Sequence, residues 1–179
     1  MSLADLARLI RRTGRIAAPA PARPTGPESL QAGPEAPAAR RADAAPLPRA
    51  LRGSAQVRHV DAGSCNGCEI EVAAAFGPVY DAERYGARLV ASPRHADVLL
   101  VTGVVTQNMA EPLRLTAGAT PEPRLVIALG DCARTCGALR GGYGVVGAVR
   151  DVVPVDIEVP GCPPEPEAIV ETLRRVTGR

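Results

Sequence analysis

The sequence predicts a three-layer α/β fold built around a mostly parallel sheet. From about residue 56 onward, short apolar segments alternate with helix-like segments. Two of the apolar segments, VLLV at 98–101 and LVIAL at 125–129, contain no polar residue. Uninterrupted apolar strands are typical of parallel sheets that helices cover on both faces. Alternation of strands and helices is in turn typical of the three-layer arrangement.

The composition limits the classes of function. The chain has 179 residues, enough for one domain with a real core, and 46% of them are apolar but only 2% aromatic. The formal net charge is +2 and no dense basic stripe carries interleaved aromatic residues, so nucleic acid is not indicated as a partner. No apolar run approaches the roughly 18 residues of a membrane span. We therefore expect a chain that does not cross a membrane, although it can lie against one.

The N-terminal third differs from the rest of the chain. Residues 1–17 place leucines on one side of a predicted basic amphipathic helix or tail, which can meet anionic lipid, dock on a partner or fray. Residues 18–50 are rich in Pro and Ala and predict a disordered linker. Residues 1–50 hold eight Arg against four acidic residues, whereas 51–179, the predicted folded domain, hold thirteen against fifteen.

The elements of the domain follow in order along the chain. The strands are predicted at 56–63, 87–92, 97–103, 124–130 and 152–159. Helices are predicted at 68–76, 78–85, 107–117 and 138–148, the last weakened by four glycines. A terminal helix is predicted after PGCPPEPEA, because Pro and Glu suit a first turn, and it continues through IVETLRRV.

Cysteines follow three of the predicted strands. The five are Cys65, Cys68, Cys132, Cys136 and Cys162. An odd number, a C-x-x-C pair and the lack of a signal-peptide segment predict a reducing compartment and a metal or redox role. Because ligands collect beyond the carboxyl ends of parallel strands, the cysteines after these strands are expected at one edge of the sheet.

Four thiolates at one place can bind zinc or an iron–sulfur cluster. Only one pair is local, since 63 residues separate Cys68 from Cys132 and 29 separate Cys132 from Cys162. Ligands dispersed over a preformed scaffold favour a [4Fe–4S] cluster, and neighbouring glycines let backbone N–H groups approach the sulfurs. A helix that begins near Cys68 would add its positive end. Zinc, and structural or redox thiols, remain as alternatives.

Several segments resemble one protein family over about residues 57–176. SCNGCEIEV, PEPRLVIALGDCA and VVPVDIEVPGCPPEPEAIVETL are similar to the small-subunit family shared by respiratory complex I (its 20 kDa type) and membrane-bound [NiFe] hydrogenases. Complex I members of the family typically carry adjacent cysteines in the first motif. Here Asn66 and Gly67 separate them, which resembles the group 4, formate hydrogenlyase-type hydrogenases.

The resemblance implies a flavodoxin-like domain that binds one [4Fe–4S] cluster through Cys65, Cys68, Cys132 and Cys162. It implies an electron-transfer subunit without bond chemistry of its own, peripheral on the cytoplasmic face of the cell membrane. The implied partners are a hydrogenase-type large subunit, a ferredoxin-like iron–sulfur subunit and membrane subunits. One alternative is a complex I-like NADH-quinone oxidoreductase with a complex I-type large subunit and quinone as acceptor. The second is a zinc-binding scaffold without redox function.

Other residues are candidates for tuning the cluster or the subunit interface. The candidates are His59, Glu69, Glu71, Arg94, His95 and Asp131. Each has a simpler interpretation: Arg94 can pair with Asp97, His95 can be a surface residue, and Glu71 can lie on a solvated helix face rather than relay protons. Cys136 lies outside the ligand pattern and is expected to be a spare thiol near the cluster, with a substitute ligand as the alternative.

Overall fold

The computed structural model describes residues 48–179. The predicted helix or tail at 1–17 and nearly all of the predicted linker at 18–50 lie outside the described residues. The first described element is a 3-10 turn, Arg49–Leu51.

A parallel sheet of five strands forms the centre of the domain. The strands are β1 (Ala55–Asp61), β2 (Ala87–Leu89), β3 (Val98–Thr102), β5 (Leu125–Leu129) and β7 (Ile157–Val159), in the order β2-β1-β3-β5-β7. A second, two-stranded antiparallel sheet pairs β4 (Val105–Thr106) with β6 (Val145–Gly147). Every pair in the large sheet is parallel, so the carboxyl ends of its strands meet at one edge.

Helices cover the large sheet on both faces. They are α1 (Gly67–Ala75), α2 (Gln107–Ala119), α3 (Asp131–Thr135) and α4 (Pro166–Thr177). Val98 and Leu100 of β3 pack in one core cluster with residues of α1 and α4, while Leu99 and Val101 pack in a second with residues of α2. Successive side chains of a strand point to opposite faces, which is why the uninterrupted run in β3 serves both clusters. The predicted three-layer α/β class is confirmed.

Some predicted elements differ in the structure. Residues 138–148 do not form a helix; the chain instead makes a 3-10 turn at Gly137–Leu139 and the short strand β6. Four glycines disfavour a helix here, and Gly141 has a left-handed φ of 79°. The predicted helix at 78–85 is reduced to a 3-10 turn at Ala82–Tyr85, and the predicted strand at 152–159 is reduced to β7.

Along residues 48–179, none of the helices combines the length and the apolar composition that a membrane span requires.

Candidate metal centre

Four of the five cysteines lie at the carboxyl edge of the large sheet. Cys65 and Cys68 follow β1 and are separated by Asn66, whose φ is 71°, and by Gly67, where α1 begins. Cys132 is the second residue of α3, which follows β5, and Cys162 comes three residues after β7. Three strands of the sheet thus deliver these thiols to one region.

The four thiols line a single small cavity of about 90 Å³. Cys65 and Cys162 are exposed, whereas Cys68 is buried, with 8% of its surface accessible. The rest of the lining comes from Ser64, Gly67, Gly103, Asp131, Gly161 and Pro163. The cavity is therefore open to the surface at two of its thiols and closed by the core at a third.

Glycine is required at two positions beside these cysteines. A Cβ atom on Gly130 would lie 2.7 Å from the Sγ atom of Cys68, and Gly130 has φ 88° and ψ 160°, a region that is essentially restricted to glycine. A Cβ atom on Gly161 would lie 2.6 Å from the Cα atom of Pro164. Gly130 thus lets its backbone approach the sulfur of Cys68, and Gly161 allows the close turn onto Pro164.

A network of side chains fixes the turn that carries Cys65 and Cys68. The backbone N–H of Asn66 donates to Oγ of Ser64 at 2.9 Å, and the Ser64 hydroxyl donates to Oε2 of Glu69. The hydroxyl of Thr102, which is fully buried at the end of β3, donates to Oε1 of the same carboxylate. Glu69 therefore connects the turn to the central strand of the sheet.

His59 completes this network from β1. Its Nε2 atom lies 2.9 Å from Oγ1 of Thr102 and 3.5 Å from Oε1 of Glu69. An ionised carboxylate only accepts hydrogen bonds, so the Thr102 proton goes to Glu69 and His59 Nε2–H donates to the Thr102 oxygen. Burial lowers the pKa of His59, and the nearby charge of Glu69 partly opposes that shift. His59 is consequently a neutral donor in this network near neutral pH.

The thiols are electrostatically coupled to one another. Burial raises the pKa of Cys68 to about 12, with further contributions from Glu69 and from the other three thiols of the cavity. The pKa of Cys132 is raised by burial and by Cys162 and Cys65. Thiolates gathered this closely repel each other, so the site can hold them deprotonated only when it also holds positive charge.

The four thiols share one cavity without forming a compact ligand group. Within residues 48–179, no three His, Cys, Asp or Glu side chains converge closely enough to hold a single metal ion. Four sulfur donors that line one cavity suit an iron–sulfur cluster, and they also suit zinc.

The structure places the candidate tuning residues at different distances from the cavity. Glu71 is half-buried on α1, one turn beyond Cys68, and its charge adds to the effect of Glu167 in raising the pKa of Tyr80. Asp131 lines the cavity directly. Glu69 contacts Ser64, which lines the cavity, whereas His59 contacts Thr102, which does not line it.

Arg94 and His95 are not brought to the cavity. Both are exposed in a 3-10 turn, Pro93–His95, that precedes β3. The five residues of β3 separate this turn from the cysteine edge, a distance of about 16 Å at the usual rise per residue. These two side chains therefore lie too far from the cysteines to contact a group that the cysteines hold. A role for them at a subunit interface stays a prediction.

Cys136 lies behind Cys132, at a second cavity. It is buried, packs with Val104 and Ala148, and contributes to a cavity of about 520 Å³ that Arg134, Arg140 and Arg150 also line. Burial, with the charge of Asp151, raises its pKa. Cys136 is thus near the cysteine cavity without lining it.

Sequence reasoning missed two residues of the site, Ser64 and Thr102. Thr102 is polar at the end of an otherwise apolar strand, directly before Gly103, and it lies at the carboxyl edge where ligands collect. That position was the available signal. Ser64 gave none, because a serine beside glycine and cysteine is common in turns.

Residues 65–176 match the protein family described as NADH ubiquinone oxidoreductase, 20 Kd subunit. The probable membrane-bound hydrogenase subunit mbhJ of Pyrococcus furiosus is 54% identical over 115 residues, 64% of this chain and 68% of the relative. Formate hydrogenlyase subunit 7 of Escherichia coli is 46% identical over 124 residues, which are 69% of this chain but only 49% of the relative. An NADH-quinone oxidoreductase subunit of Anaeromyxobacter sp. is 47% identical over 109 residues, 61% of this chain and 63% of the relative.

Two solved structures share the fold of this chain. A chain of the membrane-bound sulfane sulfur reductase, an archaeal respiratory membrane complex, superposes with a TM-score of 0.63 at 30% identity, over 72% of this chain and 71% of that one. A chain of an NAD⁺-reducing [NiFe]-hydrogenase superposes with a TM-score of 0.51 at 22% identity, over 65% of this chain and 86% of that one. The second likeness supports the fold alone.

Proposed function

Because this chain belongs to the NADH ubiquinone oxidoreductase 20 kDa subunit family, we propose that it carries one [4Fe–4S] cluster for electron exchange with a [NiFe] hydrogenase-type large subunit. Members of the family are electron-transfer subunits of membrane-bound hydrogenase and complex I-type oxidoreductases. Cys65, Cys68, Cys132 and Cys162 would be its ligands. When bound, such a cluster accepts and donates single electrons at a potential that its surroundings set.

One observation supports this proposal most strongly: four thiols from three strand ends line one cavity. The chain's own residues bind and orient the group there. Glu69 and Ser64 hold the first cysteine turn, Gly130 lets backbone approach Cys68, and the core closes the cavity from below. These residues govern burial and hydrogen bonding near the sulfurs, which are the means by which a protein adjusts a cluster's potential.

The open side of the cavity suits a partner subunit. Cys65 and Cys162 are exposed, and Ile70, two residues after Cys68, is 61% exposed. A large subunit that covers this surface would exclude water from the thiols. A ferredoxin-like iron–sulfur subunit and membrane subunits would complete the assembly, peripheral on the cytoplasmic face of the membrane.

The spacing of the first two cysteines favours the hydrogenase-type assembly over a complex I-like quinone reductase. The identities to hydrogenase and to NADH-quinone oxidoreductase subunits are 54% and 47%, too similar to separate the two. In the structure, Asn66 and Gly67 form a turn between the cysteines: the Asn66 N–H donates to Ser64 Oγ, and the Asn66 carbonyl accepts the N–H of Ile70. Adjacent cysteines would lack that turn and would strain the backbone at the metal.

Anaerobic reconstitution of the full chain with iron and sulfide tests the cluster. We expect about four iron and four sulfide per chain, brown absorption in the visible range, and an EPR signal on reduction. A colourless protein that binds one zinc ion and no iron would overturn the proposal and leave the scaffold alternative.

Affinity purification from the native cells under anaerobic conditions tests the partner. We expect a large subunit whose sequence contains two C-x-x-C pairs able to hold nickel and iron. A co-purified large subunit without these pairs would favour the quinone reductase.

A further inference from the structure

Asp131, the first residue of α3, joins the helix that carries Cys132 to the loop that carries Cys162. Its backbone N–H donates to the carbonyl of Gly161 at 2.8 Å, and its Oδ1 accepts the backbone N–H of Gly161 at 3.1 Å. One residue thus binds both backbone groups of Gly161. Since Cys132 follows Asp131 and Cys162 follows Gly161, this pair of bonds lies directly between the two cysteines.

The loop around Cys162 has few ways of anchoring itself. Its sequence from 160 to 164 is PGCPP, so three of its five residues have no backbone N–H. Of the two remaining donors, that of Gly161 is taken by the Asp131 carboxylate. A loop of this composition depends on an acceptor from outside, and Asp131 supplies it.

Arg134 pairs with the Asp131 carboxylate, and Glu158 holds Arg134 in turn. Arg134 Nη1 lies 3.0 Å from Oδ1 of Asp131, and Arg134 Nε lies 3.3 Å from Oε2 of Glu158. The side chains of Arg134 and Glu158 are 27% and 28% exposed, and that of Asp131 is 40% exposed. Partial burial and a shared partner distinguish this chain of charges from an isolated surface ion pair, which contributes little.

Arg150 extends the same chain of charges. Its Nη2 lies 2.5 Å from Oε1 of Glu158 and donates to the carbonyl of Arg134 at 2.9 Å. Arg134 is therefore fixed at its guanidinium by two carboxylates and at its backbone by Arg150. The Asp131 carboxylate, which accepts the N–H of Gly161, is thus held by residues that do not line the cysteine cavity.

We propose that Asp131 is a positioning residue that sets the separation of Cys132 and Cys162 through Gly161, with Arg134 and Glu158 keeping its carboxylate in the accepting position. This inference rests on the proposed function, because the separation matters for a group that both cysteines bind. The hydrogen bonds themselves belong to the metal-free chain and can be measured without any metal.

The first test is amide hydrogen exchange of Gly161 in the reduced, metal-free full chain. We expect Asp131→Ala to exchange about tenfold faster at Gly161, as for loss of one hydrogen bond to a charged group. Asp131→Asn keeps an oxygen that can accept this N–H but loses the ion pair with Arg134, so its exchange should be intermediate. Unchanged exchange at Gly161 in both variants would overturn the proposal.

The second test uses the same variants after reconstitution with iron and sulfide. We expect faster loss of iron to a chelator, by about tenfold in Asp131→Ala and less in Asp131→Asn and Arg134→Gln, together with an altered EPR spectrum and reduction potential. Normal EPR, potential and iron loss in Asp131→Ala, despite faster exchange at Gly161, would also overturn the positioning role.

Asp151→Ala is the matched control. The Asp151 carboxylate also accepts a backbone N–H, that of Ala148 at 2.8 Å, but it does not line the cysteine cavity. Its exchange at Gly161 and its iron loss should equal those of the wild type. If the wild type itself takes up no iron, the proposed function fails, while the exchange at Gly161 still decides whether Asp131 holds the loop.

Discussion

The Sγ atom of Cys68 lies 2.7 Å from the position that a Cβ atom would occupy on Gly130. Gly130 directly follows β5 and is buried, so no side chain there could turn away into solvent. The close approach brings the backbone before Cys132 against the sulfur of a different cysteine loop. Cys68 and the segment that carries Cys132 are distant in sequence, and they approach each other closely because Gly130 has no side chain.

Gly130→Ala should therefore prevent normal cluster assembly and destabilise the fold. The new methyl group would displace Cys68, and alanine would have to adopt a φ of 88° with a ψ of 160°. We expect a loss of about 1–3 kcal/mol in the free energy of unfolding from the backbone alone. Denaturant unfolding and iron content after reconstitution measure the two effects.

Gly118→Ala is the control for this substitution. Gly118 lies in α2 with nothing within 4 Å of a Cβ atom and without a left-handed φ. Alanine should be neutral there or stabilise the helix by about 0.5–1 kcal/mol. Equal iron content in both variants would contradict the importance of the Gly130–Cys68 contact.

Each of four serine substitutions should prevent assembly of a normal cluster, while a fifth should not. The four are Cys65→Ser, Cys68→Ser, Cys132→Ser and Cys162→Ser, because their thiols line the cavity. Cys136→Ser should keep the EPR signal, since Cys136 faces the second cavity. Loss of the signal in Cys136→Ser alone would show that the ligand assignment is wrong.

The sequence alone was sufficient to predict that the four cysteines lie close together, because their proximity depends only on the order of the strands. An apolar run followed by Gly and Cys marks a strand end, and parallel strands bring their carboxyl ends to one edge whatever their exact register. The absence of a helix at 138–148 was harder to foresee. The pairing of β4 with β6 involves two or three residues on each strand, too few to give a period in hydropathy.

The network around Glu69 could not be predicted because it depends on register. β1 and β3 pair with Asp61 opposite Thr102, which sets His59 two residues back on the neighbouring strand and within reach of the Thr102 hydroxyl. Hydropathy shows which side of a strand faces the core but not which residue lies beside it on the next strand. Likewise, the bond between Asp131 and Gly161 joins residues 30 positions apart in the sequence, and no local pattern indicates it.

The metal-free protein should lose stability as the pH rises from about 9 towards about 12, the pKa of Cys68 in the folded state. In this window the unfolded chain releases the thiol proton while the folded chain keeps it, so each rise in pH favours unfolding. Below the unfolded pKa, both states hold the proton and the effect vanishes. Urea unfolding of reduced protein on either side of pH 9 measures the slope.

The Cys68→Ser variant isolates this contribution, because serine does not titrate in that window while the tyrosines and other cysteines are unchanged. Its stability should fall less steeply with pH than that of the wild type. Identical slopes for the two proteins would mean that the buried thiol keeps an ordinary pKa.

Thr102→Val should weaken both the fold and the first cysteine turn. Valine has nearly the same shape and suits a strand, so the substitution removes the hydroxyl that donates to Glu69 and accepts from His59. A half-buried carboxylate then loses a donor, at a cost of about 1–3 kcal/mol in the free energy of unfolding. Since Glu69 also holds Ser64, iron should be lost faster from the reconstituted variant.

Thr177→Val provides the comparison that separates the network from the general cost of removing a buried hydroxyl. Thr177 is 1% exposed, and its hydroxyl donates only to the carbonyl of Arg174 in the preceding turn of α4, at 3.2 Å. The charge of Glu69 is absent there, and that carbonyl keeps a partner in the backbone N–H of Gly178. We therefore expect a cost below about 1 kcal/mol and unchanged iron retention. If the two valine variants lost equal stability and equal iron, Thr102 would matter only as a packed side chain. The hydrogen bonds that join the sheet through Glu69 to the Cys65–Cys68 turn would then not stabilise that turn.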